Sequence, residues 1–422
     1  MDFDFTEDRG PAKYFHGRKQ IIHTFNSALR FYRTNKRGTT FLIQGAPGAG
    51  KTALLDVLSN QAKPKGWEAA MINGKDLYDP ISMAQSLGES YLIDKEYALN
   101  VGIKFLGGGL VASVAGHASS EEILKRLAPE NGLILLLDEA QDLRHLKNTP
   151  KEHNLARDAL NVIHNGNVGR PVMLIAGGLG TTESTLGGLG ISRFEGDCTV
   201  QLGRLDKESE CAVIRDWLTQ AGGAIGDPGR WIDSIAEQAH GWPQHIISYI
   251  KPAVKYLTSN HGRMTDEGLA FVYEKGNEYR EEYYQKRVKG IDKKKRQDLA
   301  KIFAGVPLGD TMELEDIMDA LKEEYTEEVA EKLFKKALER GIIDERKDGD
   351  YGIPIPSFHT WLVDQYVQNK SQYIPPPAPK QLPAKPEQFL LRPKKDDESN
   401  VNKNKCENED KRKGGGGFSM ER

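Results

Sequence analysis

Two short stretches hold side chains whose types and spacing suit the chemistry of phosphates. The first is GAPGAGKT, Gly45 to Thr52. It fits G-x-x-x-x-G-K-[ST], with Gly45, Gly50, Lys51 and Thr52 at the fixed places and Ala46, Pro47, Gly48 and Ala49 between them. Glycines let backbone N–H groups turn inward around an anion, and the start of a following helix adds a positive dipole end. Lys51 adds a full charge for the β/γ-phosphates, and the Thr52 hydroxyl is a ligand for Mg²⁺. The second stretch is LILLLDEAQD, with Asp138 and Glu139 where an apolar run ends. In an open α/β sheet, ligands sit beyond the carboxyl ends of the strands. Asp138 is therefore expected to join the Mg²⁺ shell that Thr52 begins. Glu139 is expected to orient and deprotonate an attacking water. The ligands implied are ATP and Mg²⁺.

The elements that must position these residues follow in order. Tyr14 to Leu29 reads as a turn and an amphipathic helix. TTFLIQ (Thr39 to Gln44) is β-prone, and Leu54, Leu55 and Leu58 recur at helical spacing behind the loop. Further strands are predicted at Trp67–Gly74, Gly132–Leu143, Pro171–Gly178 and Cys198–Leu202, with helical patterns between them. That alternation predicts an α/β fold with a mainly parallel sheet covered on both faces. After Leu205 the patterns are helical only. Asp206 is a candidate N-cap, Gly241 closes one helix and Pro243 opens the next. Three more helical patterns precede DERKDGDYGIPIPSFHTWL, read as an Asp-Gly-Asp turn between extended arms, which together make a winged helix. From about Gln372 the Pro-rich and then charged composition predicts disorder. The boundaries are an N-terminal helix at 1–38, the ATPase core at 39–204, a helical lid at 205–262 and a helical linker at 263–285. The winged helix follows at 286–368, and the tail at 369–422.

The 422 residues carry 58 Lys and Arg against 61 Asp and Glu, so any attraction to nucleic acid must come from a local patch. Cys198, Cys211 and Cys406 are too far apart for a metal motif or a disulfide framework, which suggests a reducing cytoplasm. The acidic N-terminus lacks a signal-peptide pattern. The longest apolar run, Phe105–Gly116, is too short and glycine-rich to span a bilayer and reads as a buried strand pair with a glycine turn, or else as a mobile loop that touches a substrate or partner. No membrane association is expected.

In this order the motifs resemble those of the AAA+ ATPases, over roughly residues 14–260. FHGRKQIIHTF resembles the family's N-terminal box, which implies that Gly17 and Arg18 lie near the adenine. GAPGAGKT and LLLDEAQD resemble its Walker A and Walker B. GISRFEGDCTVQLGRLD is similar to the segment with the arginine finger, which implies that Arg193 enters a neighbouring subunit's site and that the chain forms a homo-oligomer. Arg204 competes for that role but lies where it would more easily serve the lid. The helices after Leu205 resemble the family's lid. The winged helix behind it resembles the origin-recognition branch and related bacterial ATPases, including STAND-like proteins. Two positions depart from the pattern. The lid turn is GWPQ, with Gln244 in place of an arginine, and after the fourth strand only Thr181 or Thr182 supplies a polar residue. Both suit a slow ATP hydrolase acting as a switch rather than a processive motor.

The helix usually placed in the major groove, Thr326–Arg340, mixes acidic with basic residues and is a poor phosphate-facing surface. The basic stretch lies earlier, in KRVKGIDKKKR (Lys286–Arg296), and reads either as a backbone-contacting patch for duplex DNA or as a solvated helix start. Tyr279, Tyr283 and Tyr284 before it are expected to pack between domains. The leading expectation is a nucleotide-dependent assembly switch on DNA or a DNA-bound partner. The alternatives are a STAND-like signalling ATPase with a protein partner as its output, and a clamp or remodelling ATPase for other proteins.

Overall fold

The computed structural model describes residues 14–35, 38–77, 103–106, 109–112, 128, 130–148, 155–166, 168–192, 194, 198–223, 225–346 and 349–367. The expected tail and Arg193 lie outside these residues.

In chain order the elements are α1 (Lys19–Asn35), β1 (Gly38–Gly45), α2 (Lys51–Ala62), β2 (Glu68–Asn73), β3 (Ile103–Leu106) and β4 (Gly109–Ala112). Then come β5 (Leu133–Asp138), a 3-10 segment at Ala140–Asn148, α3 (Leu155–His164), β6 (Val172–Gly178), α4 (Thr182–Gly188) and β7 (Thr199–Leu202). Five strands form one parallel sheet in the order β2-β5-β6-β1-β7, as the alternating pattern predicts. The third strand stops at Asp138, short of the expected 143, because the chain turns there into the 3-10 segment. Phe105–Gly116 is in part a strand pair, β3 with β4, antiparallel; its expected burial lies outside the described side chains.

Strand geometry explains why these runs are apolar throughout. Successive side chains point to opposite faces. Along β5, Leu133, Leu135 and Leu137 enter one cluster with α3 and α4, while Ile134 and Leu136 enter another with α1 and α2. Along β6, Val172, Leu174 and Ala176 face the first cluster, and Met173 and Ile175 the second. A strand covered on both faces must be hydrophobic at every position. The register brings Gln44 beside Gly178 and Asn73 beside Asp138, so the carboxyl ends of β1, β2, β5 and β6 form one edge.

Helices follow: α5 (Lys207–Gln220), α6 (Pro228–Ala239), α7 (Pro243–Ser259) and α8 (Asp266–Val288), with a two-residue pairing of β8 (Ile225–Gly226) and β9 (Arg263–Met264). Asp206 caps α5 by accepting from the Ser209 N–H at 2.8 Å. α6 ends one residue earlier than expected: His240 is already left-handed at φ 53°, with Gly241 following at φ 75°. The linker is one helix of 23 residues that runs through Lys286 and Arg287. The basic stretch is therefore divided between the end of α8 and the first turn of α9 (Lys293–Ala304).

The last elements are α10 (Leu314–Lys322), α11 (Glu327–Glu339), the hairpin β10 (Asp344–Glu345) with β11 (Tyr351–Gly352), and α12 (Pro356–Tyr366). Three helices and a hairpin stand in the order expected. The second arm is not extended to its end, however. Pro356 opens α12, where its missing N–H costs nothing, and Phe358, Leu362 and Val363 bury one face of it. Among the described residues no helix is long and apolar enough to cross a membrane.

Candidate nucleotide site

The loop after β1 sits at the shared carboxyl edge of the sheet. Gly48 and Gly50 take φ values of 81° and 90°, a conformation that L side chains rarely adopt. At Gly48 space is also short, since a Cβ there would lie 2.7 Å from the Gln244 Cβ. α2 begins at Lys51 with no side-chain cap on Gly50. The first N–H groups of a helix have no partner within it, so this end is ready for an anion. Lys51 is only 6% exposed and its Nζ donates to the carbonyls of Gly45 at 2.8 Å and Ala46 at 3.3 Å. Burial pulls the ammonium's pKa down, and the carboxylates of Glu139, Asp138 and Asp344 push it back up.

β5 delivers the acidic pair to the same place. Thr52 Oγ1 donates to Asp138 Oδ2 at 2.7 Å, and Asp138 Oδ1 accepts from the Glu139 N–H at 3.0 Å. Burial raises the Asp138 pKa against the Thr52 hydrogen bond. Glu139 itself is left-handed, at φ 52°. Its Oε2 accepts from Gln141 Nε2 at 2.6 Å, while Gln141 Oε1 accepts from the Leu179 N–H at 3.1 Å. Gln141 thus ties the carboxylate to the loop after β6. Sequence reading missed it although it lies two residues on, because its second partner is on another strand. Thr182, beyond that loop, has a buried hydroxyl with no hydrogen-bond partner among the described residues.

Gly17 and Arg18 are both left-handed, at φ 81° and 59°. They lie against the start of α5, where Arg18 donates to the Gly203 carbonyl and a Cβ on Gly17 would meet Ser209 Oγ at 2.9 Å. The segment is held there by Tyr14 Oη donating to Gln220 at 2.8 Å and by the His16–Asp216 pair at 2.6 Å. Gln244 touches the loop through its backbone, its N–H donating to the Gly48 carbonyl at 3.2 Å. Arg204 lies beside Gly241, between α6 and α7.

The C-terminal helices reach the loop as well, which the sequence did not reveal. Tyr283 Oη donates to the Pro47 carbonyl at 2.6 Å, and Arg287 donates to both Tyr283 Oη and the Arg340 carbonyl. Gly180, after β6, donates its N–H to Asp344 Oδ1 at 2.8 Å. Arg144 pairs with Glu339 at 2.6 Å. Of the three tyrosines expected to pack, Tyr283 and Tyr284 do so, whereas Tyr279 is 43% exposed. Within the basic stretch, Arg287, Lys294, Lys295 and Arg296 have partners in the chain, and Lys286, Lys289 and Lys293 are exposed.

Behind the loop, His245 is 0% exposed, edge-on to Tyr283 and Tyr284. Burial, then the charges of Arg280, His240 and Arg287, lower its pKa to about 3. The folded chain holds this imidazole neutral, whereas the unfolded chain protonates it below its ordinary value of about 6.5. The stability it supports is whole above that pH and is lost as pH falls towards 3, by up to about 1.4 kcal/mol per pH unit. His245→Phe should therefore show a shallower loss of stability between pH 6 and pH 4 than the parent, measured by urea unfolding. His240 and His359, also lowered, remain in both chains and cancel. Equal slopes would remove His245 from this role.

No protein-family model matches the sequence, and no curated protein matches it. Solved structures do. The Aeropyrum pernix ORC2 protein in its ADP form is 14% identical, with a TM-score of 0.52 over 87% of this chain and 97% of that one. The same protein as ADPNP-ADP complexes is 14% identical, with a TM-score of 0.49 over 86% and 97%. Cdc6p from Pyrobaculum aerophilum is 17% identical, with a TM-score of 0.40 over 85% and 97%. At such identities the first of these speaks to the fold alone: the five-stranded parallel sheet with its helices and C-terminal hairpin is folded like the Aeropyrum pernix ORC2 protein.

Proposed function

We propose that the chain binds ATP with Mg²⁺ at this edge, hydrolyses it slowly, and uses it as an assembly switch on DNA or on a DNA-bound partner. The observation that carries the reading is the Thr52–Asp138 hydrogen bond with Glu139 next to it, set beside a buried lysine and an uncapped helix start. These residues fit the ligand. A hydroxyl and one carboxylate are what a protein offers Mg²⁺, which keeps its remaining positions for water and phosphate oxygens. Bound there, the ion would neutralise charge on the phosphates. Gly45 to Gly50 would hold the phosphates by backbone N–H groups, Lys51 by its charge, and Glu139 would take a proton from the attacking water. Gly17 and Arg18 would flank the adenine, and Gln244 would face the phosphates in place of an arginine. Arg193, outside the described residues, would serve a neighbouring copy's site.

In this reading residues 39–204 are the ATPase core, 205–262 the lid, and 286–368 a winged helix. The exposed Lys286, Lys289 and Lys293 offer the contact to a DNA backbone. The test is turnover and particle size, each with and without duplex DNA, for the parent and for mixed variants. Turnover per chain should rise with protein concentration. Arg193→Ala and Lys51→Ala, each inactive alone, should regain activity when mixed, since an intact site then meets an intact arginine; a finger supplied in trans contributes roughly 10³–10⁵ in rate. A concentration-independent parent rate and no recovery in proven mixed assemblies would sink the switch.

One observation favours a second reading, a signalling ATPase whose C-terminal domain holds an inactive state. Asp344 and Glu339 contact the loop after β6 and the 3-10 segment after β5 from that domain, and Tyr283 of the linker helix contacts the loop after β1. Assembly that ignores DNA and requires a protein partner would select it.

A further inference from the structure

Asp344 is the first residue of β10, far from the loop in sequence, and only 3% exposed. Its Oδ1 accepts from the Gly180 N–H at 2.8 Å, and its Oδ2 is buried with no hydrogen-bond partner among the described residues. The Gly180 carbonyl in turn accepts from Gln44 Nε2 at 2.7 Å, the side chain just before Gly45. One loop therefore joins Asp344 to the start of the phosphate loop. The approach is close: a Cβ on Gly180 would lie 2.1 Å from Asp344 Oδ1. The turn before the hairpin also approaches the loop, since a Cβ on Gly341 would lie 2.6 Å from the Pro47 ring.

Burial pushes the Asp344 carboxyl's pKa up, against the Gly180 N–H and the charges of Arg346 and of the Lys51 ammonium, on which Asp344 acts with Asp138 and Glu139. The last two have work in the site as proposed above. Asp344 has none, yet it brings negative charge to the lysine that a terminal phosphate needs. A phosphate placed for attack by the water that Glu139 holds would add negative charge on this same side. In a dry site such repulsion is weakly screened. A diphosphate lacks that terminal charge.

We propose that Asp344 is a specificity-determining residue of the nucleotide site: with the C-terminal hairpin seated, its carboxylate disfavours a nucleoside triphosphate relative to a diphosphate. The occupied site then couples to the hairpin. A triphosphate can bind well only when β10 leaves Gly180, and a diphosphate leaves it in place. By linkage, whatever draws the hairpin away favours the triphosphate by the same factor. This rests on the reading of the site as one for ATP.

The test compares the affinity of the full chain for Mg²⁺-ADP and for a Mg²⁺-ATP analogue with a non-hydrolysable β–γ linkage, by calorimetry. Asp344→Asn keeps the shape and removes the charge. The ratio of the two affinities should move towards the triphosphate by about tenfold, which is ~1.4 kcal/mol. Gly180→Ala approaches the same contact from the other side, forcing the carboxylate away, and should move the ratio in the same direction even if Asp344→Asn fails to fold. Glu345→Gln removes the neighbouring charge, whose carboxylate makes no hydrogen bond to Gly180, and should leave the ratio as it was. An unchanged ratio in Asp344→Asn and Gly180→Ala, or an equal shift in Glu345→Gln, would overturn the inference while leaving the nucleotide site standing. A parent chain that binds neither nucleotide would remove the site and the inference together.

Discussion

Lys51→Ala should lose nucleotide binding by a factor of about 10²–10³ while keeping the fold. Two charge-assisted hydrogen bonds to phosphate oxygens would vanish, each worth about 1.5–3 kcal/mol. Part of that is offset in the parent, because Lys51 Nζ must first release the Gly45 and Ala46 carbonyls it holds. The remainder is not, since the variant also removes the one ammonium on which Asp138, Glu139 and Asp344 act. The fold should survive for a related reason. The ammonium is buried against its own preference, so its removal relieves desolvation as it forfeits two hydrogen bonds. Titration with labelled ATP reads the binding, and thermal melting reads the fold. Near-normal affinity in a folded variant would place the site elsewhere.

How far the site was legible follows from how local its parts are. Gly45 to Thr52 and Asp138–Glu139 are each contiguous, and their spacing carries the chemistry without tertiary knowledge. The sheet was equally readable, because strands buried on both faces are apolar at every position, as in LILLLD and VMLIAGG. What failed to show was contact made across the chain. Tyr283 was read as packing, correctly, but nothing in its helix says that its hydroxyl ends on Pro47. Asp344 looks like any acid beside a hairpin turn until the fold sets it on Gly180. The extended reading of the final segment fell to a different cause. The Asp-Gly-Asp turn suggested extended arms on both sides, while Phe358, Leu362 and Val363 already carried helical spacing behind Pro356. The basic stretch was legible as composition and not as geometry: seven basic residues fall within Lys286–Arg296, and Gly290 at φ 81° divides them between the end of α8 and the start of α9.

Glu139→Gln should keep nucleotide binding and lower turnover by about 10²–10⁴, because an amide cannot accept the proton of the attacking water. The structure adds a second residue to that expectation. Gln141 donates to Glu139 Oε2 and is itself anchored by the Leu179 N–H, so the position of the base depends on the loop after β6. Glu139 sits at φ 52°, a backbone state costing about 1–2 kcal/mol for a residue with a Cβ. A side chain that leaves such a turn needs an outside partner to hold one orientation. Gln141→Met keeps the volume and removes the donor. It should lower kcat about tenfold with little change in nucleotide affinity, as loss of orientation alone does. A merely structural role would reduce activity in any background. A positioning role requires Glu139: in Glu139→Gln the further change Gln141→Met should cost nothing more, and the two effects should be non-additive. Rates from single-turnover measurements on the four chains decide it. Full additivity would detach Gln141 from the base, and undiminished turnover in Glu139→Gln would detach Glu139 from the chemistry.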